Sequence, residues 1–265
     1  MVQSQPIGIF DSGIGGLTVA RSLKEALPLE QFIYFGDTAH MPYGDKSPEE
    51  ILQYSKKIVE FLIANHVKLI VIACNSASSI AASALRSAYW KQVEIMGVIR
   101  PVVNDIVKNN IKKIGIIGTQ ATIQSQIYPH LLHEADAQIE IYQLATPLLA
   151  PMIEAGKVSQ SVLYQTMADY LSDKHFEDKE AILLACTHYP IIKDEVNTFF
   201  KHQKRIFDNA APLAFEVKKY LTDKNLLATV KKGANQFYVS RYSDTFEKAI
   251  YTFYGKQLEV KEVHL

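Results

Sequence analysis

Short apolar runs of strand length alternate along this chain with longer stretches whose apolar residues recur every three or four positions. Ile7–Phe10, Gln31–Gly36, Val93–Ile99, Ile114–Ile117, Ile139–Leu144, Arg205–Asp208 and Asn235–Ser240 read as strands. Lys68–Ser76 and Ala181–His188 each hold a further apolar run, ending in Ala-Cys and a small polar residue. Continuous runs of this kind suit strands covered on both faces of a parallel sheet. Between them, helical spacing predicts helices over Leu17–Leu27, Asn75–Tyr89, through Tyr128–Ala135, around Val158–Leu171, over Pro212–Leu221 and over Thr245–Tyr254. Ser47-Pro48-Glu49-Glu50 gives a serine cap, a proline in the first turn and acids at the positive helix end, so a helix runs from there to about Asn65. At Arg100-Pro101 the proline is read as ending the pattern. Strand alternating with helix implies right-handed crossovers and parallel sheets, an α/β fold.

At Lys113 the order begins again. Ile114-Gly115-Ile116-Ile117-Gly118-Thr119 resembles Ile7-Gly8-Ile9-Phe10-Asp11-Ser12 as a strand followed by a small-residue turn. Ile7 to Ile114 spans 107 positions and Cys74 to Cys186 spans 112. Two landmarks repeating at nearly one interval suggest an internal duplication of an α/β unit. The tail is expected to return to the first half. The expected domains are therefore 1–99 plus 209–265, discontinuous, and 100–208.

Composition narrows the partners. Lys plus Arg and Asp plus Glu both number 28, so the net charge is zero and nothing in the balance points to nucleic acid or an acidic membrane. The first six residues show no secretory pattern and no apolar run reaches bilayer length. Two cysteines so far apart argue against a disulfide scaffold or a CxxC redox or zinc site. A soluble cytoplasmic protein is expected.

Both cysteines lie just past a strand's C-terminal end, where open α/β sheets bind ligands. A buried cysteine is commonly an inert small hydrophobe, but the paired placement points to a shared ligand. Helix-start N–H groups favour a thiolate and predict a lowered thiol pKa. Two thiols, one per half, suit removal of a proton from one face of a carbon and delivery to the other, which is racemisation or epimerisation without a cofactor. Asp11-Ser12-Gly13-Ile14-Gly15-Gly16 is neither a Walker motif nor GxGxxG, and its acid would repel phosphate. With Ser12 and exposed backbone N–H groups it suits a substrate carboxylate, while Asp11 either pairs with an ammonium or assists a thiol. His188 either polarises a carboxylate or tunes Cys186. Tyr43 and Gly44 either line the same crevice or form only a turn. Glu154, from spacing alone, is an ordinary helix acid. The other seven histidines lack such a setting, and His130 with His133 is read as surface.

Asp11–Leu17, Pro42-Tyr43-Gly44, Ala73-Cys74-Asn75-Ser76 and Cys186-Thr187-His188-Tyr189-Pro190 together resemble the glutamate racemases of the cofactor-independent aspartate/glutamate racemase family. The resemblance runs from about Ile7 to Pro190 in order and spacing, and more loosely to the end. It implies two pseudo-symmetric three-layer α/β domains with mostly parallel sheets and a site in the cleft between them. It implies interconversion of L- and D-glutamate for peptidoglycan, without pyridoxal phosphate or metal, by a protein that is often a homodimer. Cys74 would take the α-proton from D-glutamate and Cys186 from L-glutamate, with Asp11, Glu154 and His188 assisting. Asp11, Ser12, Tyr43, Gly44, Asn75, Ser76, Thr187 and His188, with Thr119 and Thr122 as further additions, would contact substrate. Ser76 stands where the family usually has threonine, Ala185 where it has glycine, and Arg100 where glutamate is common. Ser240-Arg241 replaces a usual Thr/Ser-Gly pair. The rival expectations are an aspartate racemase, since pocket depth is not legible, and a non-catalytic binder of acidic amino acids.

Overall fold

The computed structural model describes residues 2–156 and 159–265. Their strands are β1 (Ile7–Asp11), β2 (Phe32–Gly36), β3 (Leu69–Ile72), β4 (Glu94–Gly97), β5 (Lys113–Gly118), β6 (Glu140–Ala145), β7 (Ala181–Ala185), β8 (Arg205–Asp208), β9 (Gln236–Val239) and β10 (Val260–Glu262). The helices are α1 (Leu17–Ala26), α2 (Pro48–Ala64), α3 (Asn75–Ile80), α4 (Ala82–Tyr89), α5 (Ile99–Lys108), α6 (Gln120–Gln124), α7 (Ile127–Ala135), α8 (Leu149–Ala155), α9 (Gln160–Leu171), α10 (Lys193–Phe199), α11 (Ala210–Asp223) and α12 (Asp244–Tyr254). Val158, where the α9 helix was expected to start, lies outside the described residues. The described part opens at Ser159, whose Oγ accepts the Val162 N–H.

Two sheets form, in the orders β10-β9-β2-β1-β3-β4 and β6-β5-β7-β8, and every pair is parallel. The order β2-β1-β3-β4 recurs as β6-β5-β7-β8, so the repeat seen in sequence is a repeat of topology. Cys74 and Cys186 follow the equivalent strands β3 and β7. All residues of β1, β2, β3 and β7 are buried, as expected for strands covered by helices on both faces. Ser47 closes a capping box on α2: its Oγ accepts the Glu50 N–H at 3.2 Å, and Glu50 Oε2 accepts the Ser47 N–H at 3.0 Å.

Two expectations change, and several elements are new. Pro101 does not end an element; it lies in the first turn of α5, where a missing N–H costs no helical hydrogen bond. The stretch Asn75–Tyr89 is two helices, not one. Ser79 Oγ bonds the Asn75 carbonyl at 2.8 Å, competing with the backbone near the break at Ala81. The elements α5, α6, α10 and β10 were not anticipated, and α8 only as the helix carrying Glu154. No helix among the described residues is long and apolar enough to cross a membrane.

Candidate active site

The register β1–β3 pairs Phe10 with Ile72, so the chain ends of these strands deliver Asp11 and Cys74 side by side. Cys74 caps α3, its Sγ accepting the Ala77 N–H at 3.4 Å and lying 3.5 Å from Ser12 Oγ. From the second sheet, β7 delivers Cys186. Its Sγ lies 3.7 Å from His188 Nδ1, and His188 Nε2 lies 2.9 Å from Glu154 Oε2 on α8. Both cysteines line one cavity of about 310 Å³, together with Ser12, Tyr43, Gly44, Asn75, Ser76, Thr119, Glu154, Thr187 and His188.

Two of the expected contact residues do not reach its wall. Asp11 is fully buried beneath it, where Oδ2 accepts the Gly13 N–H at 2.9 Å and Oδ1 accepts from Thr187 Oγ1 at 3.4 Å. Thr122 stands behind Thr119, with 3.0 Å between their hydroxyl oxygens. The glycine turn also differs from its reading as a cradle of free donors, because the Gly13 and Gly16 N–H groups serve the Asp11 carboxylate. Gly15 has another role. A Cβ there would lie 2.4 Å from Thr187 Oγ1 and 2.5 Å from His188 Nδ1, so only glycine lets the second sheet's histidine seat against the turn. Tyr43 spends its phenolic proton on Asp37 at 2.6 Å. Ser76 Oγ and Thr119 Oγ1, from opposite sheets, meet at 2.8 Å.

The sulfurs have different surroundings. The helix start was expected to lower the Cys74 pKa. Instead burial, and then the charge of Asp11, push this thiol up to about 12, over the pull of the Ala77 N–H and Ser12. Burial opposes charge on His188, but its hydrogen bonds to Cys186 and Glu154 and their negative charge prevail and raise it to about 10. Burial also raises the Asp11 carboxyl, against the His188 charge and the Gly13 and Gly16 N–H groups.

Sequence reasoning missed several wall residues. Gly13, Met41 and Pro42 close one side, and Ala150, Pro151 and Ala155 on α8 close another. It also missed Asp37, a buried hub that accepts from Tyr43, from Ser240 Oγ at 2.7 Å and bonds His40 Nδ1 at 2.8 Å. The Asp37–His40–Tyr43 spacing was the one available signal. His130 and His133 are exposed. No cluster of three metal-ligating side chains occurs among the described residues.

Residues 7–214 match the sequence model of a family described as Asp/Glu/Hydantoin racemase. The chain is 38% identical to a glutamate racemase of Thermoanaerobacter pseudethanolicus over 259 residues, covering 97% of this chain and 96% of that protein. It superposes with a TM-score of 0.92 on the crystal structure of glutamate racemase from Francisella tularensis in complex with D-glutamate, at 35% identity and covering 99% and 98% of the two chains. A glutamate racemase from Bacillus anthracis superposes with a TM-score of 0.94 at 33% identity, again covering 99% and 98%.

Proposed function

This chain belongs to the Asp/Glu/Hydantoin racemase family, and on that premise we propose that it interconverts L- and D-glutamate by moving the α-proton between two cysteines. The observation that carries the reading is that Cys74 and Cys186, from equivalent strands of two sheets, open on one cavity. In the L-to-D direction the α C–H bond breaks and its proton goes to Cys186 Sγ, while Cys74 Sγ–H gives its proton to the opposite face. The raised pKa of Cys74 keeps that thiol protonated and ready to donate. His188, backed by Glu154, is placed to exchange a proton with Cys186. On the other side Ser12 Oγ lies 3.5 Å from Cys74 Sγ, and Asp11 acts on that thiol through its charge. Reversing the two thiols gives the D-to-L direction. Thiols supply both transfers, so the scheme needs neither pyridoxal phosphate nor metal.

Ser12, Asn75, Ser76, Thr119 and Thr187 offer the hydroxyl and amide groups that would hold the substrate's carboxylates and ammonium. The favoured substrate is glutamate because the relatives named above are glutamate racemases. On this reading the product supplies peptidoglycan synthesis in the cytoplasm, and the protein works as a homodimer. The domain division at 99/100 and 208/209 is supported by β9 and β10 joining the first sheet.

Incubation with L-glutamate in deuterium oxide is expected to yield D-glutamate labelled at the α-carbon. No exchange in either isomer overturns the reading, and faster exchange with aspartate replaces the substrate. Cys74→Ser and Cys186→Ser are each expected to slow interconversion by roughly 10²- to 10⁴-fold, the usual worth of a positioned acid or base.

A further inference from the structure

Asn75 is the first residue of α3, 2% exposed, and lines the cavity. Its amide belongs to a buried chain of hydrogen bonds whose other members do not line the cavity. Asn209 Nδ2 lies 3.2 Å from the Val98 carbonyl and 2.9 Å from the Tyr128 hydroxyl. Tyr128 OH lies 2.7 Å from Asn75 Oδ1, and Asn75 Nδ2 lies 3.4 Å from Asn209 Oδ1. Tyr128 and Val98 are fully buried and Asn209 is 4% exposed, so water does not compete for these groups.

The direction of every bond in this chain follows from one atom. The Val98 carbonyl only accepts, so Asn209 must turn its NH₂ towards it. Of that group's two hydrogens, one serves Val98 and the other Tyr128. The Tyr128 oxygen, having accepted, spends its single proton on Asn75 Oδ1. The Asn75 oxygen is thereby fixed away from the ligand. One Asn75 Nδ2 hydrogen goes to Asn209 Oδ1, and the other is the donor left for the cavity. A flipped Asn75 would face the Tyr128 oxygen with NH₂ and strand a buried proton, at the cost that unsatisfied buried groups carry.

We propose that Tyr128 and Asn209 are positioning residues that fix Asn75 as a hydrogen-bond donor to a substrate carboxylate. The inference rests on the proposed glutamate chemistry and deepens it. The network also has a defined place in the fold. Val98 follows β4, where the chain leaves the first sheet, and Asn209 follows β8, where it leaves the second. Tyr128 comes from α7. Substrate recognition by Asn75 is therefore set by groups at both connections between the sheets, and none of the three lines the cavity.

The test is a kinetic split. Tyr128→Phe, which removes only the hydroxyl, is expected to raise KM for both L- and D-glutamate about five- to tenfold with kcat within about twofold, the range for a weakened hydrogen bond to a charged group. Asn209→Ala is expected to shift KM in the same direction, and provides the test if Tyr128→Phe fails to fold. In an Asn75→Ala background, Tyr128→Phe should change KM no further, because it acts through Asn75. A role in packing alone would lower the melting temperature and leave KM unmoved. Unchanged KM in the folded single variants, or an equal rise in the Asn75→Ala background, overturns the inference. A parent protein that exchanges no α-deuterium with glutamate overturns the functional reading instead, so the two failures are distinguishable.

Discussion

His188 sits between a sulfur and a carboxylate and is 6% exposed. Its folded pKa, about 10, lies above the ordinary 6.5. Between those values the folded protein holds a proton that the unfolded chain releases, so stability falls as pH rises. The contribution is fully present below pH 6.5 and is lost on approaching pH 10. His188→Gln is expected to flatten the fall. The urea midpoint of the parent should drop more than that of the variant across this interval, and parallel curves would contradict the assignment. Cys74 is the opposite lesson. Its place at a helix start was legible in the sequence, but the burial and the Asp11 charge that raise its pKa were not, because both come from tertiary neighbours. Glu154 likewise reads as an ordinary helix acid from spacing. Only the packing of α8 against the turn Tyr189–Ile192 that follows β7 brings it to His188.

At the scale of elements, the turn between β1 and α1 is one place where the two halves of the site touch. Gly15→Ala would drive a methyl into Thr187 and His188, both within 2.6 Å of the new carbon. The turn must then withdraw from His188. Because a displacement of about 1 Å in a reacting group costs on the order of 10²-fold, kcat/KM is expected to fall by at least that much. A near-normal rate in Gly15→Ala would show that the approach is not needed. Most strands and the long helices were legible, since buried parallel strands and amphipathic helices carry distinct periods. The exceptions have physical causes. Pro101 reads as a stop but sits where a helix tolerates it. The helices α6 and α10 span only five and seven residues, too short for a period to emerge.

Across the whole molecule, the cavity is built from the C-terminal ends of two sheets, and a ligand filling it bridges them. With both cysteines replaced by serine, so that no turnover intervenes, either glutamate enantiomer is expected to raise the unfolding free energy. At ligand near 100 times Kd the gain is roughly 2.7 kcal/mol. No change in the denaturation midpoint at high glutamate would mean that the cleft does not bind it. The repeat of topology was legible from two sequence landmarks, whereas the unequal furnishing of the repeats was not. One sulfur has a buried acid and a serine hydroxyl beside it, and the other an imidazole backed by a carboxylate. Mirror-image substrates have identical energies in water, so their equilibrium constant is unity whatever the catalyst. The ratio kcat/KM must then be the same starting from either hand. Any advantage that the uneven surroundings give to turnover in one direction must reappear as weaker apparent affinity in that direction. The lopsided pair of sulfurs can thus set the enzyme's tempo at a given substrate concentration, but it cannot tilt the final mixture.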